Sequence, residues 1–125
     1  MFEEPVTDTG QAEQPGALCV VTTAIDGVLV VSAAGDIDHN TCHRLQRALD
    51  DPETAACRAV VDLHEVTFMD SSGINTLIAA HHSLHQAHGW LRLAGTPASV
   101  MRTFQLVGLD TVIDCHPSLD DALNA

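Results

Sequence analysis

Residues 68–75 read FMDSSGIN, and the change of pattern inside this stretch decides how the chain is divided. Upstream, CRAVVDLHEVTFMD (57–70) contains an almost continuous apolar run from Ala59 to Leu63. Such a run predicts a buried strand over 59–63 with a short extension to Met69, in a sheet covered by helices. Downstream, Ile74, Leu77, Ile78, His81 and Leu84 fall near one face of a helix; the helix therefore starts at Ser71, and Gly89 is expected to close it. Asp70, Ser71 and Ser72 sit at the junction. Their simplest role is capping, because the first turn of a helix leaves backbone N–H groups without acceptors. A phosphoserine, carrying about −1.5 to −2 charge, would gain from those same N–H groups and from the helix dipole. The junction is thus able to carry a modified serine without unfolding, Asp70 opposes the added charge, and Gly73 leaves room for another protein's active site to approach the backbone. A nucleophilic serine is the third reading. It lacks the G-x-S-x-G elbow, since Met69 stands two residues before Ser71 and Asp70 two before Ser72.

Outward from this junction, LCVVTTA (18–24) and VLVVSAAG (28–35) are β-branched runs separated by a turn with Asp26-Gly27, which predicts a hairpin. GDIDHN (35–40) is rich in turn-formers and leads into a helix marked by Leu45, Ala48 and Leu49, with Asp38 or Asn40 as its cap and Asp50, Asp51 and Pro52 at its end. WLRLAG (90–95) reads as a strand. PASVMRTFQLVG (97–108) reads as a helix with Pro97 in its first turn and Gly108 past its end. TVIDC (111–115) is expected to be the last strand and SLDDALNA (118–125) a terminal helix capped by Ser118. The order β-β-α-β-α-β-α-β-α describes one α/β domain with a mixed sheet. Residues 1–16 are acidic and Pro/Gly-bearing and are expected to form a disordered tail, leaving 17–125 as the domain.

Seventeen acidic residues against five basic ones give the 125-residue chain a net charge of −12. Nucleic-acid backbones and anionic membrane surfaces repel such a chain, whereas a basic protein partner is drawn to it. There is no apolar segment of the roughly 18 residues that a membrane span needs, and the start MFEEPVTDTG lacks the features of a signal peptide. Cys19, Cys42, Cys57 and Cys115 form no CxxC pair and are read as reduced thiols, so the expected compartment is the cytoplasm. His81, His85 and His88 are spaced i, i+4, i+7, a spacing that can bind nickel or zinc. With no HExxH signature and no Cys or carboxylate tied to them, they imply no physiological metal, and the chain no cofactor. His81 is expected to be partly core, and His82 adds to the same cluster.

Three blocks in order, GDIDHNTCHRLQRAL, VVDLHEVTFMDSSGINTLI and LRLAGTPASVMRTFQLVGLD, resemble the STAS domain of bacterial anti-sigma factor antagonists. The resemblance runs from about residue 18 to about residue 124. It implies a sheet of four to five strands with helices mainly on one side, and a binding switch instead of an enzyme. In that family the unphosphorylated antagonist binds an anti-sigma factor and so frees a sigma factor. The anti-sigma factor is commonly a serine kinase that phosphorylates the serine after the Asp, a position matched by Ser71, and a PP2C-type phosphatase reverses the mark. Asp38 matches the family's acidic residue near the phosphoacceptor, and His39, Asn40 and Thr41 continue its loop. Asp70, Ser72 and Gly73 complete the acceptor loop, and the two loops together would face the kinase. The chain departs from the family at Asn75, where a small residue is frequent, and in its histidines; both bear on partner specificity. The rival implied by the same resemblance is a scaffold subunit of a transport or stress-signalling assembly, never phosphorylated. A homodimer is left open by the sequence.

Overall fold

The computed structural model describes residues 18–50 and 57–125. The expected tail, residues 1–16, lies outside the described residues, as do Asp51 and Pro52. β1 (Leu18–Ile25) and β2 (Val28–Ile37) form an antiparallel hairpin. Its two-residue turn has Asp26 at φ 51° and Gly27 at φ 79°, the doubly left-handed geometry whose twist matches the flanking strands. β3 (Arg58–Met69), β4 (Trp90–Ala94) and β5 (Asp114–His116) follow in parallel, giving a five-stranded mixed sheet in the order β1-β2-β3-β4-β5. The connecting helices are α1 (Cys42–Leu49), α2 (Ser71–Gln86) and α3 (Ala98–Val107), and α4 (Leu119–Asn124) ends the chain.

Side-chain alternation explains the layers. Leu29, Val31 and Ala33 of β2, Ala59, Val61 and Leu63 of β3, and Leu91 and Leu93 of β4 share one core with Leu45 of α1, Leu77 of α2 and Phe104 of α3. The opposite parity, Val28, Val60 and Ala94, packs on Ala122 of α4. Three helices therefore cover one face and a short one the other, as expected for helices mainly on one side. Because β3 is covered on both faces over 59–63, that stretch is apolar on both faces except at Asp62.

Three local expectations need correction. The last strand is not 111–115 but Asp114–His116; Leu109–Thr111 is a single 3₁₀ turn, and Ile113 is buried just before the strand. Gly89 is not the left-handed residue that closes α2. His88 takes that conformation at φ 65°, while the Gly89 N–H donates to the Leu84 carbonyl at 2.8 Å and the His88 N–H to the His85 carbonyl at 3.0 Å, the paired bonds of a Schellman ending. Glycine is required at 89 for another reason: a Cβ there would lie 1.5 Å from the Cys57 carbonyl oxygen. Pro97 stands at the N-cap of α3, one residue before its first turn, and Gly108 at φ 78° ends it.

What positions the site is an inequality of strand lengths. β4 ends at Ala94 opposite Asp62, so beyond that point β3 pairs with β2 alone. Two register shifts, between Ser32 and Ala34 and between Gly35 and Asp36, carry this two-stranded extension to the Ile37–Met69 pair. The loops that follow β2 and β3 are thereby brought side by side.

Candidate functional site

The two loops are stitched at their roots, where the Asp70 N–H donates to the Ile37 carbonyl at 3.1 Å. Asp70 is the N-cap of α2: with φ −103° and ψ −170°, its Oδ1 accepts from the Ser72 N–H at 2.8 Å and from the Gly73 N–H at 3.4 Å. Capping at this junction thus belongs to the carboxylate and not to either serine. Ser71, the first helical residue, is exposed, and its hydroxyl makes no hydrogen bond to another described residue. Ser72 is half-buried, and its carbonyl accepts from the Thr76 hydroxyl at 2.9 Å. Asn75 lies one turn along α2 from Ser71, also exposed.

Gly73 is buried, so its expected service as an opening for a partner is not what the structure shows. A Cβ there would meet Met69 Cγ at 2.6 Å and Ile37 Cγ2 at 2.7 Å. The glycine lets the first turn of α2 settle onto the last inward residues of β2 and β3.

The loop after β2 is tied within itself. Asp38 Oδ1 accepts from the Asn40 N–H at 2.9 Å and the Thr41 N–H at 3.1 Å, an Asx turn. The Thr41 hydroxyl donates to the Asp36 carbonyl at 2.9 Å and accepts from the Asp38 N–H at 2.9 Å. The carboxylate expected to cap α1 therefore braces the turn before it; the N-cap position is Thr41, which makes no side-chain cap bond. His39 and Asn40 project into solvent. Sequence reasoning brought together Asp38, His39, Asn40, Thr41, Asp70, Ser71, Ser72, Gly73 and Asn75, and the fold places them at one end of the sheet. All but Gly73 are at least partly exposed.

Two neighbours were not singled out in the sequence. Phe68 is 49% exposed, and beside it the Thr67 hydroxyl donates to Asp36 Oδ1 at 2.6 Å. Asp62, 8% exposed, holds His64 through Nδ1 at 2.9 Å and the backbone N–H at 3.1 Å. Hydrogen bonding to Asp62, aided by its charge, raises the His64 pKa. The spacing of the pair, two residues apart on a strand and so on one face, was the available signal.

The histidines do not form one binding face. The helix stops at Gln86, which takes His88 off the row. His81 is half-buried and stacks on His85 with ring centroids 6.0 Å apart; burial lowers its pKa, with His82 and His85 adding to the effect. Among the described residues no group of three or more His, Cys, Asp or Glu side chains is disposed to hold a metal ion. None of the described helices is long and apolar enough to cross a membrane.

The site is an exposed pair of acidic loops at one end of the sheet, with the Ser71 hydroxyl bonded to no other described residue. Comparisons with known proteins agree with that geometry. The family model of the STAS domain matches residues 20–122. The chain is 32% identical over 85 residues to the anti-sigma-B factor antagonist of Listeria monocytogenes, which covers 67% of this chain and 75% of that one. It is 30% identical over 113 residues to the anti-sigma-F factor antagonist RsfB of Mycobacterium tuberculosis, covering 87% and 89%. The crystal structure of an anti-sigma factor antagonist from Mycobacterium paratuberculosis matches with a TM-score of 0.80 at 31% identity, over 89% of this chain and 95% of that one. With the family model spanning all five strands but the first two residues of β1, the chain belongs to the STAS domain family.

Proposed function

We propose that the chain is an anti-sigma factor antagonist that binds its anti-sigma factor when Ser71 is unmodified and is released when Ser71 is phosphorylated. One observation carries this reading: Asp70 caps α2, so the exposed Ser71 hydroxyl has no structural duty to lose. The similarity to named antagonists supplies the partner class, and the chain acts by binding, not by catalysis. The kinase is the anti-sigma factor itself, and a PP2C-type phosphatase restores the binding form in the cytoplasm.

The physics of release is local. A phosphate on Ser71 meets N–H groups that Asp70 already engages, and it adds charge among Asp36, Asp38 and Asp70. The partner must then either pair the dianion or bury it unpaired. A penalty of about 3 kcal/mol weakens binding roughly a hundredfold, enough to move a shared anti-sigma factor to its sigma factor. No refolding of the domain is required.

The test is phosphate transfer with the purified anti-sigma factor and ATP. Label is expected on wild type and on Ser72→Ala, and none on Ser71→Ala. Label retained in Ser71→Ala and lost in Ser72→Ala would place the switch at Ser72 and overturn the choice of Ser71. A chain that binds an anti-sigma factor but never takes up phosphate would support the scaffold reading.

A further inference from the structure

We infer that Phe68 is the apolar anchor of the partner interface, seated in an apolar pocket with a basic rim on the anti-sigma factor; the inference rests on the antagonist reading above. The exposed positions of β3 are Arg58, His64, Glu65, Thr67 and Phe68. Four are polar, as a solvated strand face requires, and the one apolar exception is the residue next to the switch. The core does not need it, since Val66 and Met69 fill the inward positions around it. It lies three positions before Ser71, so at about 3.8 Å per Cα–Cα step the two Cα atoms lie within about 11 Å. That span fits inside one interface of ordinary size.

The anchor is also held in advance. Phe68 stands opposite Asp36 in the β2–β3 ladder, and Met69 opposite Ile37. The Thr67–Asp36 hydrogen bond of 2.6 Å fastens the strand end from the side. An aromatic ring on a fixed strand loses little freedom when bound, which favours affinity. Asp36 stands opposite it in the ladder, and Asp38, Glu65 and Asp70 lie two or three positions along the same two strand ends, all four at least partly exposed. The complementary surface is therefore basic at its edge and apolar at its centre.

The other large exposed apolar side chains offer no such argument. Val21 lies on β1, and Leu106, Val107 and Val112 lie at or beyond the end of α3. Because α3 runs back from the C-terminal end of β4 and Val112 precedes β5, those last three lie toward the end of the sheet opposite Ser71. In the assembled site the acids speed encounter, Phe68 slows dissociation, and a phosphate on Ser71 prevents the ring from seating.

The experiment begins by capturing partners on the Ser71→Ala chain, identifying the anti-sigma factor by mass spectrometry and purifying it. Its binding to unphosphorylated wild type, Phe68→Ala, Phe68→Thr and Val21→Ala is then measured by surface plasmon resonance. Phe68→Ala and Phe68→Thr are expected to bind at least tenfold more weakly, mainly through faster dissociation, while Val21→Ala matches wild type. Phe68→Thr retains a strand-forming residue, so it serves if the alanine variant folds poorly. Binding within threefold of wild type for a folded Phe68 variant would overturn the anchor and leave the antagonist reading intact. Failure of the wild-type chain to bind any anti-sigma factor would overturn both.

Discussion

Removing Asp70 and removing Ser71 should have opposite consequences. The Asp70 carboxylate accepts a charge-assisted bond of 2.8 Å from Ser72 and a long one of 3.4 Å from Gly73. Losing an N-cap acceptor typically costs about 1 kcal/mol, and losing a negative charge at a helix N-terminus about 0.3–1 kcal/mol. Asp70→Ala should therefore destabilise the domain by about 1.3–2 kcal/mol. For a domain near 100 residues this lowers Tm by roughly 5–16 °C. Asp70→Asn, which keeps the acceptor, should recover more than half of the loss. Ser71→Ala removes a hydroxyl bonded to no other described residue and should shift Tm by no more than about 2 °C, in keeping with surface substitutions. Thermal melts by circular dichroism at one pH and salt concentration separate the cases. If Ser71→Ala lowers Tm as far as Asp70→Ala, the serine is a cap, and the division of labour at this junction is wrong.

In binding measurements, Ser71→Ala should hold the anti-sigma factor under all conditions. Ser71→Asp should bind on the order of a hundredfold more weakly; tight binding by a folded Ser71→Asp protein would count against charge as the switch. Gly89→Ala forces a Cβ to within 1.5 Å of the Cys57 carbonyl oxygen and should cost more than about 3 kcal/mol, so a chemical melt within 1 kcal/mol of wild type would contradict that packing. His64 has a raised pKa in the folded state, so its stabilising contribution is complete below its unfolded value of about 6.5 and fades as pH rises through the folded value. The Tm difference between wild type and His64→Gln should accordingly be larger at pH 5.5 than at pH 8.5, and the reverse order would refute the Asp62–His64 pairing.

The fold was readable because local rules agreed with one another. The β-branched and apolar runs, the Asp26-Gly27 turn and the helix stop at Gly108 each point to the element that forms. The departures share a cause in contacts between residues distant in sequence. Gly89 looked like a helix terminator, yet what demands glycine is the carbonyl of Cys57, just before the neighbouring strand. Gly73 looked like an opening, yet it is closed by Ile37 and Met69. At the site, the DSSG block marks the strand-to-helix junction but not which of its residues caps the helix, since Asp and Ser are equally good caps on paper. Phe68 escaped notice because simple alternation fails where the β2–β3 register shifts: Val66 and Met69 both turn inward, and the residues between them face out.

The most direct test of the central claim is intact-mass and peptide mass spectrometry on the protein from its native cells, before and after phosphatase treatment. The account predicts a fraction carrying one phosphate on Ser71, removed by phosphatase and absent from the molecules that co-purify with the anti-sigma factor. A chain unmodified under every growth condition, or phosphorylated chain found tightly bound to that partner, would contradict it.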